Sequence, residues 1–378
     1  MLIGLDVGGT HTDSVLIGRE GIRAQAKVPT VHDNLLESVI GGVRAVLEGV
    51  DPSAVARVNL STTLSTNAIV EGKAEKVGVI VTAGPGIDPA SMTIGPHYAV
   101  VAGSIDHRGV EVMGLDGRGL ESALKPFRKA GLRVFAAVGK FSTRNTAHEN
   151  AIRDALAPHS DFTTAGHMLS GRLNFPRRIA TAYYNSAVWR RYTEFADAVE
   201  KGMRSLGISA PLCVLKADGG TMPLGLSRTL PVETILSGPA ASVMGIIALC
   251  DMRDDSVLLD IGGTTTDIAV FASGAPLIEP DGIALGGRRT MVRALCTRSI
   301  GVGGDSSLGF SDARVTVGPE RRGPSMADGG SRPSLIDACN VAGFCSYGNT
   351  ADSAKGIADL AKKHGMKPGA FAESAVFP

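Results

Sequence analysis

An eight-residue pattern occurs twice in the chain, and each copy lies between two apolar runs. The first copy is Asp6-Val7-Gly8-Gly9-Thr10-His11-Thr12-Asp13, and the second is Asp260-Ile261-Gly262-Gly263-Thr264-Thr265-Thr266-Asp267. Six of the eight residues are identical, and the copies are separated by 254 positions. The flanking apolar runs predict a strand, a tight turn and a second strand around each copy. The repeat therefore predicts two related halves that open with the same hairpin.

Strands and helices alternate along the rest of the chain. Apolar residues recur at helical spacing in residues 34–48, 147–156 and 177–202, whereas the short apolar runs 77–82, 132–138 and 257–260 predict strands. This alternation is typical of the α/β class. We expect two domains, residues 1–170 and residues 171–378, with one copy of the repeat in each.

Charge and composition exclude several classes of function. Lys and Arg number 38 against 37 Asp and Glu, so the chain has no positive field that would gather nucleic acid or an anionic membrane. The longest apolar run, residues 240–250, is shorter than the roughly 20 residues of a membrane-spanning helix. The five cysteines show no CxxC spacing, which argues against a zinc site or a disulfide framework. We expect a cytoplasmic protein that binds neither nucleic acid nor membrane.

The repeated pattern combines the groups that hold a phosphate chain. Glycines let backbone N–H groups approach phosphate oxygens, threonine hydroxyls add donors, and a carboxylate at a strand end can hold Mg²⁺ directly or through water. Two such loops can clamp the β- and γ-phosphates of a nucleotide from both sides. For either loop taken alone, a tight turn capped by a side-chain hydrogen bond is an equally good interpretation.

The two patterns resemble the phosphate loops of the actin-like ATPase superfamily and, more narrowly, those of the hydantoinase/oxoprolinase family, A-subunit type. Three further segments carry the resemblance, namely residues 60–73 (LSTTLSTNAIVEGK), 218–222 (DGGTM) and 231–241 (PVETILSGPAA). Either octad alone would also fit a sugar kinase, whereas the five motifs together are typical of this family. The resemblance implies two actin-like, ribonuclease H-like α/β domains that face a nucleotide cleft.

The resemblance also implies an activity, which is ATP-dependent hydrolysis of a cyclic amide such as a hydantoin, 5-oxoproline or a lactam. Members often work with a B-type subunit, which is the partner that we expect. In this interpretation Asp6 and Asp260 are the catalytic residues and place Mg²⁺. The residues expected to contact ATP are Gly8, Gly9, Thr10, Thr12, Gly262, Gly263, Thr264, Thr265, Asp267, Gly303 and Gly304.

Hydroxyl and amide side chains at the start of a predicted helix form the candidate substrate site. Thr62, Thr63 and Asn67 lie there, where the free N–H groups of a helix attract an anion. Ordinary helix capping explains the same residues equally well. Near the second pattern, Gly303 and Gly304 precede Asp305, which departs from the commoner glycine-rich form of the family and points to a subgroup with a different substrate.

The glycine-rich adenosine-binding motif of the superfamily has no convincing copy after the second pattern. We therefore expect a shortened second domain, and the sequence leaves two alternatives to the hydrolase open. One is a nucleotide-binding assembly subunit without catalysis, and the other is a small-molecule kinase. A homo-oligomer is compatible with the sequence. His11 is expected to make one polar contact rather than to transfer protons.

Overall fold

The computed structural model describes residues 1–8, 11–31, 35–70 and 72–377. In these ranges the strands, numbered along the chain, are β1 (Leu2–Val7), β2 (His11–Gly18), β3 (Gly21–Pro29), β4 (Arg57–Thr62), β5 (Gly78–Thr82), β6 (His97–Val100), β7 (Ser104–Ile105), β8 (Glu111–Met113), β9 (Val134–Gly139), β10 (Phe162–Ala165), β11 (Leu212–Leu215), β12 (Thr221–Pro223), β13 (Ser256–Ile261), β14 (Thr266–Ala272), β15 (Ala275–Pro276), β16 (Ile278–Glu279), β17 (Ala284–Leu285), β18 (Arg288–Arg289), β19 (Ala294–Leu295), β20 (Thr297–Ile300), β21 (Ser306–Ser311) and β22 (Arg314–Arg321). The helices are α1 (Leu35–Val46), α2 (Leu64–Val70), α3 (Gly117–Lys129), α4 (Ala147–Leu156), α5 (Phe175–Ser205), α6 (Leu224–Ser227), α7 (Ser237–Leu249), α8 (Leu335–Val341), α9 (Thr350–Lys363) and α10 (Pro368–Val376).

The chain forms two compact units. The first unit contains Met1–Gly245 and Ile278–Leu295, and the second contains Ile246–Leu277 and the chain from Cys296 onward. Helix α5 begins just after the domain boundary expected near residue 170, and it packs against both large sheets of the first unit. The expected two-domain division at that position remains a prediction.

The first sheet of the first unit has the strand order β12-β11-β4-β1-β2-β3. Its central strand β1 pairs antiparallel with β2 and parallel with β4. Alternate residues of β1 point to the same face, and Ile3, Leu5 and Val7 are buried there beneath α1 and α5. The opposite face carries Asp6, so the pleat of β1 separates an apolar core face from a polar face.

A second sheet in the same unit is entirely parallel and has the order β10-β9-β5-β6. One face is covered by α3 and α4 and the other by α5. Helix α5 contains 31 residues, which corresponds to about 47 Å at 1.5 Å per residue. It therefore reaches both sheets of the unit.

The second unit repeats the opening hairpin of the first. Strands β13 and β14 pair antiparallel, with Asp260 opposite Asp267. In the first unit β1 and β2 pair in the same register, with Asp6 opposite Asp13. Strand β20 pairs with the far side of β14, while β21 and β22 form a separate hairpin that packs with α8, α9 and α10. The predicted repeat is thus present as a structural repeat of the same hairpin.

Among the described residues, no helix is both long enough and apolar enough to cross a lipid bilayer. The longest helix, α5, carries arginine, glutamate and lysine side chains along its length.

Candidate functional site

The turn between β1 and β2 lies at the carboxyl end of the central strand of the first sheet. The Gly8 N–H donates a hydrogen bond to the His11 carbonyl oxygen over 3.0 Å and closes the turn. A Cβ atom on Gly8 would lie 2.9 Å from the same oxygen, so the turn requires glycine. Gly9 and Thr10, which the sequence predicts at the nucleotide, lie outside the described residues.

Behind this turn, a pair of threonines supports the backbone. The Thr30 hydroxyl donates to the Gly8 carbonyl oxygen over 3.0 Å, and the Thr12 hydroxyl lies 3.0 Å from that of Thr30. Thr12 is fully buried on the core face of the sheet, toward α1. Its hydroxyl therefore acts on a ligand only through the backbone of the turn.

Three polar side chains share the opposite face at the end of β1. Asp6 lies opposite Asp13 on one neighbouring strand and opposite Ser61 on the other. The Ser61 hydroxyl donates a hydrogen bond to Asp6 Oδ1. Asp13 forms an ion pair with Lys27, at 3.4 Å between Oδ1 and Nζ, and both side chains are at least half exposed. Sequence reasoning missed Asp13 as a site residue, although the repeat pairs it with Asp267.

These side chains line an open cavity of about 840 Å³ on the polar face of the first sheet. Asp6, Asp13, Lys27 and Ser61 form its polar part. Its apolar part comes from Leu215, Ala241, Met244 and neighbouring residues. The volume lies within the range of small-molecule sites in proteins.

Two of the sequence motifs, residues 60–73 and 231–241, contact each other where β4 ends and α7 begins. The Ser237 hydroxyl donates to the Thr62 carbonyl oxygen over 2.9 Å and accepts from the Thr62 N–H over 3.2 Å. The Thr66 hydroxyl accepts from the Leu236 N–H over 3.0 Å. These contacts join residues 170 or more positions apart and hold α2 against the start of α7.

The three predicted substrate residues differ in their accessibility. Thr62 is fully buried, and its hydroxyl accepts a hydrogen bond from the Leu64 N–H, so it caps α2 from the inside. Thr63 and Asn67 are only partly buried, and the Asn67 amide donates to the Thr63 hydroxyl over 3.4 Å. Thr63 and Asn67 therefore remain candidates for substrate contact, whereas Thr62 has a structural role.

Replacing Ser237 with alanine should destabilise this junction. Ser237 is fully buried, and the substitution would leave the Thr62 N–H and carbonyl without their shared partner. We expect the free energy of unfolding to fall by about 1–3 kcal/mol, because a buried unsatisfied polar group costs that much. Chemical denaturation measures it, and Ser91→Ala in the exposed turn before β6 is the matched control. An equal effect in both variants would contradict the assigned role of Ser237.

A cluster of four charged side chains lies beside the Asp218-Gly219-Gly220 motif. Lys216 Nζ is 3.0 Å from Asp218 Oδ2 and 3.6 Å from Glu233 Oε2, and Arg293 is 3.8 Å from Asp218. Burial raises the pKa of Glu233. Burial also acts to raise the pKa of Asp218, but hydrogen bonds from Lys216 and the Gly220 N–H outweigh it, so this pKa lies below its ordinary value. Sequence reasoning identified the two motifs that contain Asp218 and Glu233, but it did not identify Lys216 and Arg293.

In the second unit, the turn between β13 and β14 has the same form as the first turn. The Gly262 N–H donates to the Thr265 carbonyl oxygen over 2.9 Å, which matches the bond from Gly8 to His11. Asp260, Gly262, Gly263 and Thr264 are exposed. Burial raises the pKa of Asp267, and the nearby charge of Asp260 adds to this effect.

The predicted glycines at 303 and 304 lie directly against this second turn. The Gly304 N–H donates to the Gly262 carbonyl oxygen over 3.0 Å, and the Asp305 N–H donates to the Gly263 carbonyl oxygen over 2.7 Å. The Asp305 carboxylate is 2.9 Å from Arg321 Nε. The structure thus places the second turn in contact with Gly303 and Gly304, two segments that the sequence analysis had assigned separately to the nucleotide.

Gly303→Ala should distort the second turn, whereas Gly304→Ala should be tolerated. A Cβ atom on Gly303 would lie 2.5 Å from the Gly262 carbonyl oxygen, whereas the nearest atom to a Cβ on Gly304 is 3.9 Å away. Overpacking of this kind costs about 1–3 kcal/mol. We expect a lower midpoint of thermal unfolding for Gly303→Ala alone, and equal midpoints would contradict the packing described for this loop.

No three His, Cys, Asp or Glu side chains form a metal-binding group in the part of the chain that the structure describes. A magnesium ion needs only one or two carboxylates when phosphate and water oxygens complete its octahedron. Asp6 and Asp260, each two residues before the glycine that closes its turn, fit that requirement. Such a magnesium site does not require three or more ligands from the protein.

Two profiles of one family match most of the chain. The profile described as hydantoinase/oxoprolinase matches residues 178–367, and the one described as the hydantoinase/oxoprolinase N-terminal region matches residues 2–159. The chain belongs to the hydantoinase/oxoprolinase family. The resemblance inferred from the five motifs is therefore confirmed.

Members of the family with curated descriptions are longer than this chain. Caprolactamase subunit alpha from Pseudomonas jessenii is 28% identical over 390 residues, which cover 92% of this chain and 55% of the relative. The acetophenone carboxylase gamma subunit from Aromatoleum aromaticum is 25% identical, over 90% of this chain and 53% of the relative. The chain thus spans little more than half the length of these relatives.

Two solved structures of family-like proteins share the fold. Nucleotide-free acetone carboxylase superposes with a TM-score of 0.84 at 18% identity, over 98% of this chain and 60% of the other. The caprolactamase from Pseudomonas jessenii superposes with a TM-score of 0.75 at 23% identity, over 99% of this chain and 60% of the other. These superpositions confirm the predicted α/β fold class.

Proposed function

We propose that this chain carries the nucleotide-binding turns of an ATP-dependent cyclic amide hydrolase, in the manner of an A-type subunit. The observation that supports this most strongly is the repeated turn, with the same register and the same closing hydrogen bond at Gly8 and Gly262. Each turn has a carboxylate at the end of the strand before it, and the second turn also has an exposed glycine backbone, which suits a phosphate chain and its metal ion. The relatives named caprolactamase and 5-oxoprolinase support a cyclic amide as the substrate.

In the proposed reaction, the residues of the two turns bind and orient the phosphates of ATP. The Gly263 N–H would donate to phosphate oxygens, the N–H groups of Gly8 and Gly262 would hold the shape of the two turns through their bonds to His11 and Thr265, and Asp6 and Asp260 would hold Mg²⁺. When bound, this ion offsets the negative charge of the phosphates. Hydrogen-bond donors that are already in place cost no reorganisation during the reaction, which is the general source of such stabilisation.

The chemical role of ATP in the proposal is to activate the amide carbonyl. The carbonyl oxygen attacks the γ-phosphorus, ADP leaves, and the substrate becomes a phosphorylated imidate. Water then adds to the carbon, and the C–N bond of this tetrahedral adduct breaks as the nitrogen takes up a proton, which leaves a ring-opened acyl phosphate. A second water hydrolyses the acyl phosphate to the carboxylate and free phosphate. The net reaction consumes ATP and two water molecules and gives ADP, phosphate and the ring-opened amino acid.

Thr63 and Asn67 are the candidates that we place near the substrate, beside the junction held by Ser237. Their hydroxyl and amide groups provide a donor and an acceptor that suit the polar edge of an amide. Both relatives reported above are named as subunits, so we propose a B-type partner for this chain as well. The cytoplasmic location predicted from the sequence stays a prediction.

Product analysis tests the proposal against its alternatives. The chain, co-produced with its B-type partner, is incubated with Mg·ATP and each of caprolactam, 5-oxoproline and hydantoin, and phosphate and ring-opened product are quantified. A hydrolase gives equal amounts of both, whereas a kinase gives a stable phosphorylated product without free phosphate. An assembly subunit binds ATP without turnover. A further incubation with Mg·ATP, bicarbonate and a ketone tests for carboxylase activity, since one relative is named as a carboxylase subunit.

A further inference from the structure

A second, smaller cavity of the first unit is lined by three arginines, and we call it the arginine pocket. Arg177 belongs to the first turn of α5, and Arg288 and Arg289 form strand β18. The cavity has a volume of about 290 Å³. Among the described residues that line it, none is an aspartate or a glutamate. Because the whole chain has a net charge of only +1, these arginines are a local concentration of positive charge.

The hairpin that carries two of these arginines is fixed against α5. Its strands pair across a turn of two residues, Gly286 and Gly287, whose φ angles are 50° and 77°. A Cβ atom on Gly286 would lie 2.4 Å from the Tyr184 hydroxyl, which donates to the Leu285 carbonyl oxygen over 2.8 Å. The glycines thus let the hairpin approach the helix closely and hold β18 beside it.

Two of the arginines are held by backbone carbonyl groups rather than by carboxylates. The Arg288 guanidinium donates to the Thr93 carbonyl oxygen over 2.9 Å, and the Arg177 guanidinium donates to that of Asp281. The Asp281 carboxylate lies 3.5 Å from Arg172, which does not line the cavity. In the described ranges, no carboxylate forms an ion pair with any of the three lining arginines. Since each guanidinium has five N–H donors, further donors remain for a ligand.

The rest of the arginine pocket is largely apolar. Ile94 and Ile179 line it and are 7% and 1% exposed, because they belong to the core between α5 and the second sheet. Met92 also lines the pocket and packs against the same core. A molecule that fills this cavity therefore meets both guanidinium groups and hydrocarbon.

We propose that the arginine pocket binds a small phosphate monoester with an apolar body. At neutral pH such a group carries a charge of about −1.5 to −2 and three acceptor oxygens, which suit several neighbouring guanidinium groups. A single carboxylate carries one charge and two oxygens, so it satisfies fewer of these donors. The volume of about 290 Å³ is at the lower end of the range for small-molecule sites, so the apolar body must be small.

This site is separate from the turns of the proposed function. It shares no lining residue with the cavity at Asp6, and it contains no residue of the repeated turns or of the junction at Ser237. The guanidinium groups themselves provide the positive charge, so binding here needs no metal ion. Binding is therefore expected in EDTA, whereas the proposal for the turns requires Mg²⁺.

Calorimetric titration of the full chain with phenyl phosphate in EDTA tests this proposal. We expect one-to-one binding with a Kd of about 1 mM or tighter, which is reasonable for a ligand of this size. Inorganic phosphate should bind roughly tenfold more weakly, because it buries no apolar surface. Benzoate should also bind more weakly, because it has one negative charge. Asp260→Ala should bind phenyl phosphate as the unaltered chain does, which separates this site from the second turn.

Arg289→Gln and its control Arg118→Gln identify the site. Arg289 is exposed, and in the described part of the chain its side chain makes no hydrogen bond or ion pair, so the thermal midpoint should not change. Affinity for phenyl phosphate should fall by about tenfold or more, because a hydrogen bond to a charged group is lost. Arg118→Gln removes the same charge from an exposed position of α3 and should leave the affinity unchanged.

Four results would each overturn the proposal. They are absence of saturable binding, equal affinities for phenyl phosphate and either inorganic phosphate or benzoate, unchanged affinity in Arg289→Gln, and loss of binding in Asp260→Ala.

Discussion

Asp260→Ala is expected to abolish binding of Mg·ATP while leaving the fold intact. Asp260 lies at the end of β13, immediately before the turn at Gly262 and Gly263, and its side chain is exposed. Removing an exposed side chain costs little stability, but it removes the carboxylate assigned to the metal ion in the second unit. We expect the affinity to fall by about 100-fold or more, which corresponds to roughly 2.7 kcal/mol. Fluorescence of a labelled ATP analogue measures this loss.

Asp254→Ala is the matched control for this prediction. Asp254 is also exposed, lies in the same unit and carries the same charge, but it is outside the turn. It therefore reports the effect of removing one negative charge from the second unit without touching the site. Equal affinities in the two variants would contradict the assignment of Asp260, whereas a difference of about 100-fold supports it.

The largest expected effect on stability is that of Arg178→Met. Arg178 is fully buried at the start of α5, and its guanidinium donates to the carbonyl oxygens of Gly139 and Lys140 over 2.9 and 2.8 Å. Burial lowers the pKa of Arg178, and attraction to the nearby carboxylate of Glu149 opposes this shift. Methionine would leave the carbonyl oxygens of Gly139 and Lys140 without these donors and would remove a positive charge near the buried Glu149 carboxylate, and each buried group left unsatisfied costs about 1–3 kcal/mol.

The Glu149 side chain cannot turn away from the site of the substitution, because its own hydrogen bonds hold it in place. It is also fully buried, and it accepts hydrogen bonds from the Gly139 N–H and from the His167 N–H over 2.7 and 2.8 Å. Arg191→Met, at an exposed position of the same helix, should change stability by no more than about 0.5 kcal/mol. Unfolding of both variants in denaturant tests the prediction. Similar midpoints would contradict the assigned contribution of Arg178 to the stability of the first unit.

Much of the fold could be predicted from local patterns. The apolar runs around each octad predicted β1, β2, β13 and β14 to within a few residues, since alternation and turn residues act over short distances. Helices α1, α4 and α5 followed from apolar spacing for the same reason. The octads also predicted the turns, because glycines at fixed offsets after a strand specify the backbone conformation.

The contacts that organise the site could not be predicted in this way. Ser237 meets Thr62 across 175 positions, and Lys216 meets Glu233 only because the chain folds back between them. Spacing along the sequence contains no signal for such contacts. The burial of Thr62 and Thr12 is a result of packing as well, so their hydroxyls looked available in the sequence and are enclosed in the structure.

The exposed face of β13 is a further feature that the sequence hides. Val257, Leu259 and Ile261 have the same apolar pattern as Ile3, Leu5 and Val7, and the pattern alone predicts burial for both. Only the structure shows that one face is covered and the other is exposed. The repeat nevertheless allows the exposed residues of β13 to be compared with the buried residues at the equivalent positions of β1.

Calorimetric titration of the purified chain with Mg·ATP and, separately, with Mg·pyrophosphate tests the central claim most directly. That claim is the proposal that nucleotide phosphates bind at the repeated turns. We predict one-to-one binding of Mg·ATP that pyrophosphate displaces and that disappears when EDTA removes the metal. Binding of ATP that persists in EDTA and is unaffected by pyrophosphate would contradict it, because the contacts would then lie at the base rather than at the phosphates.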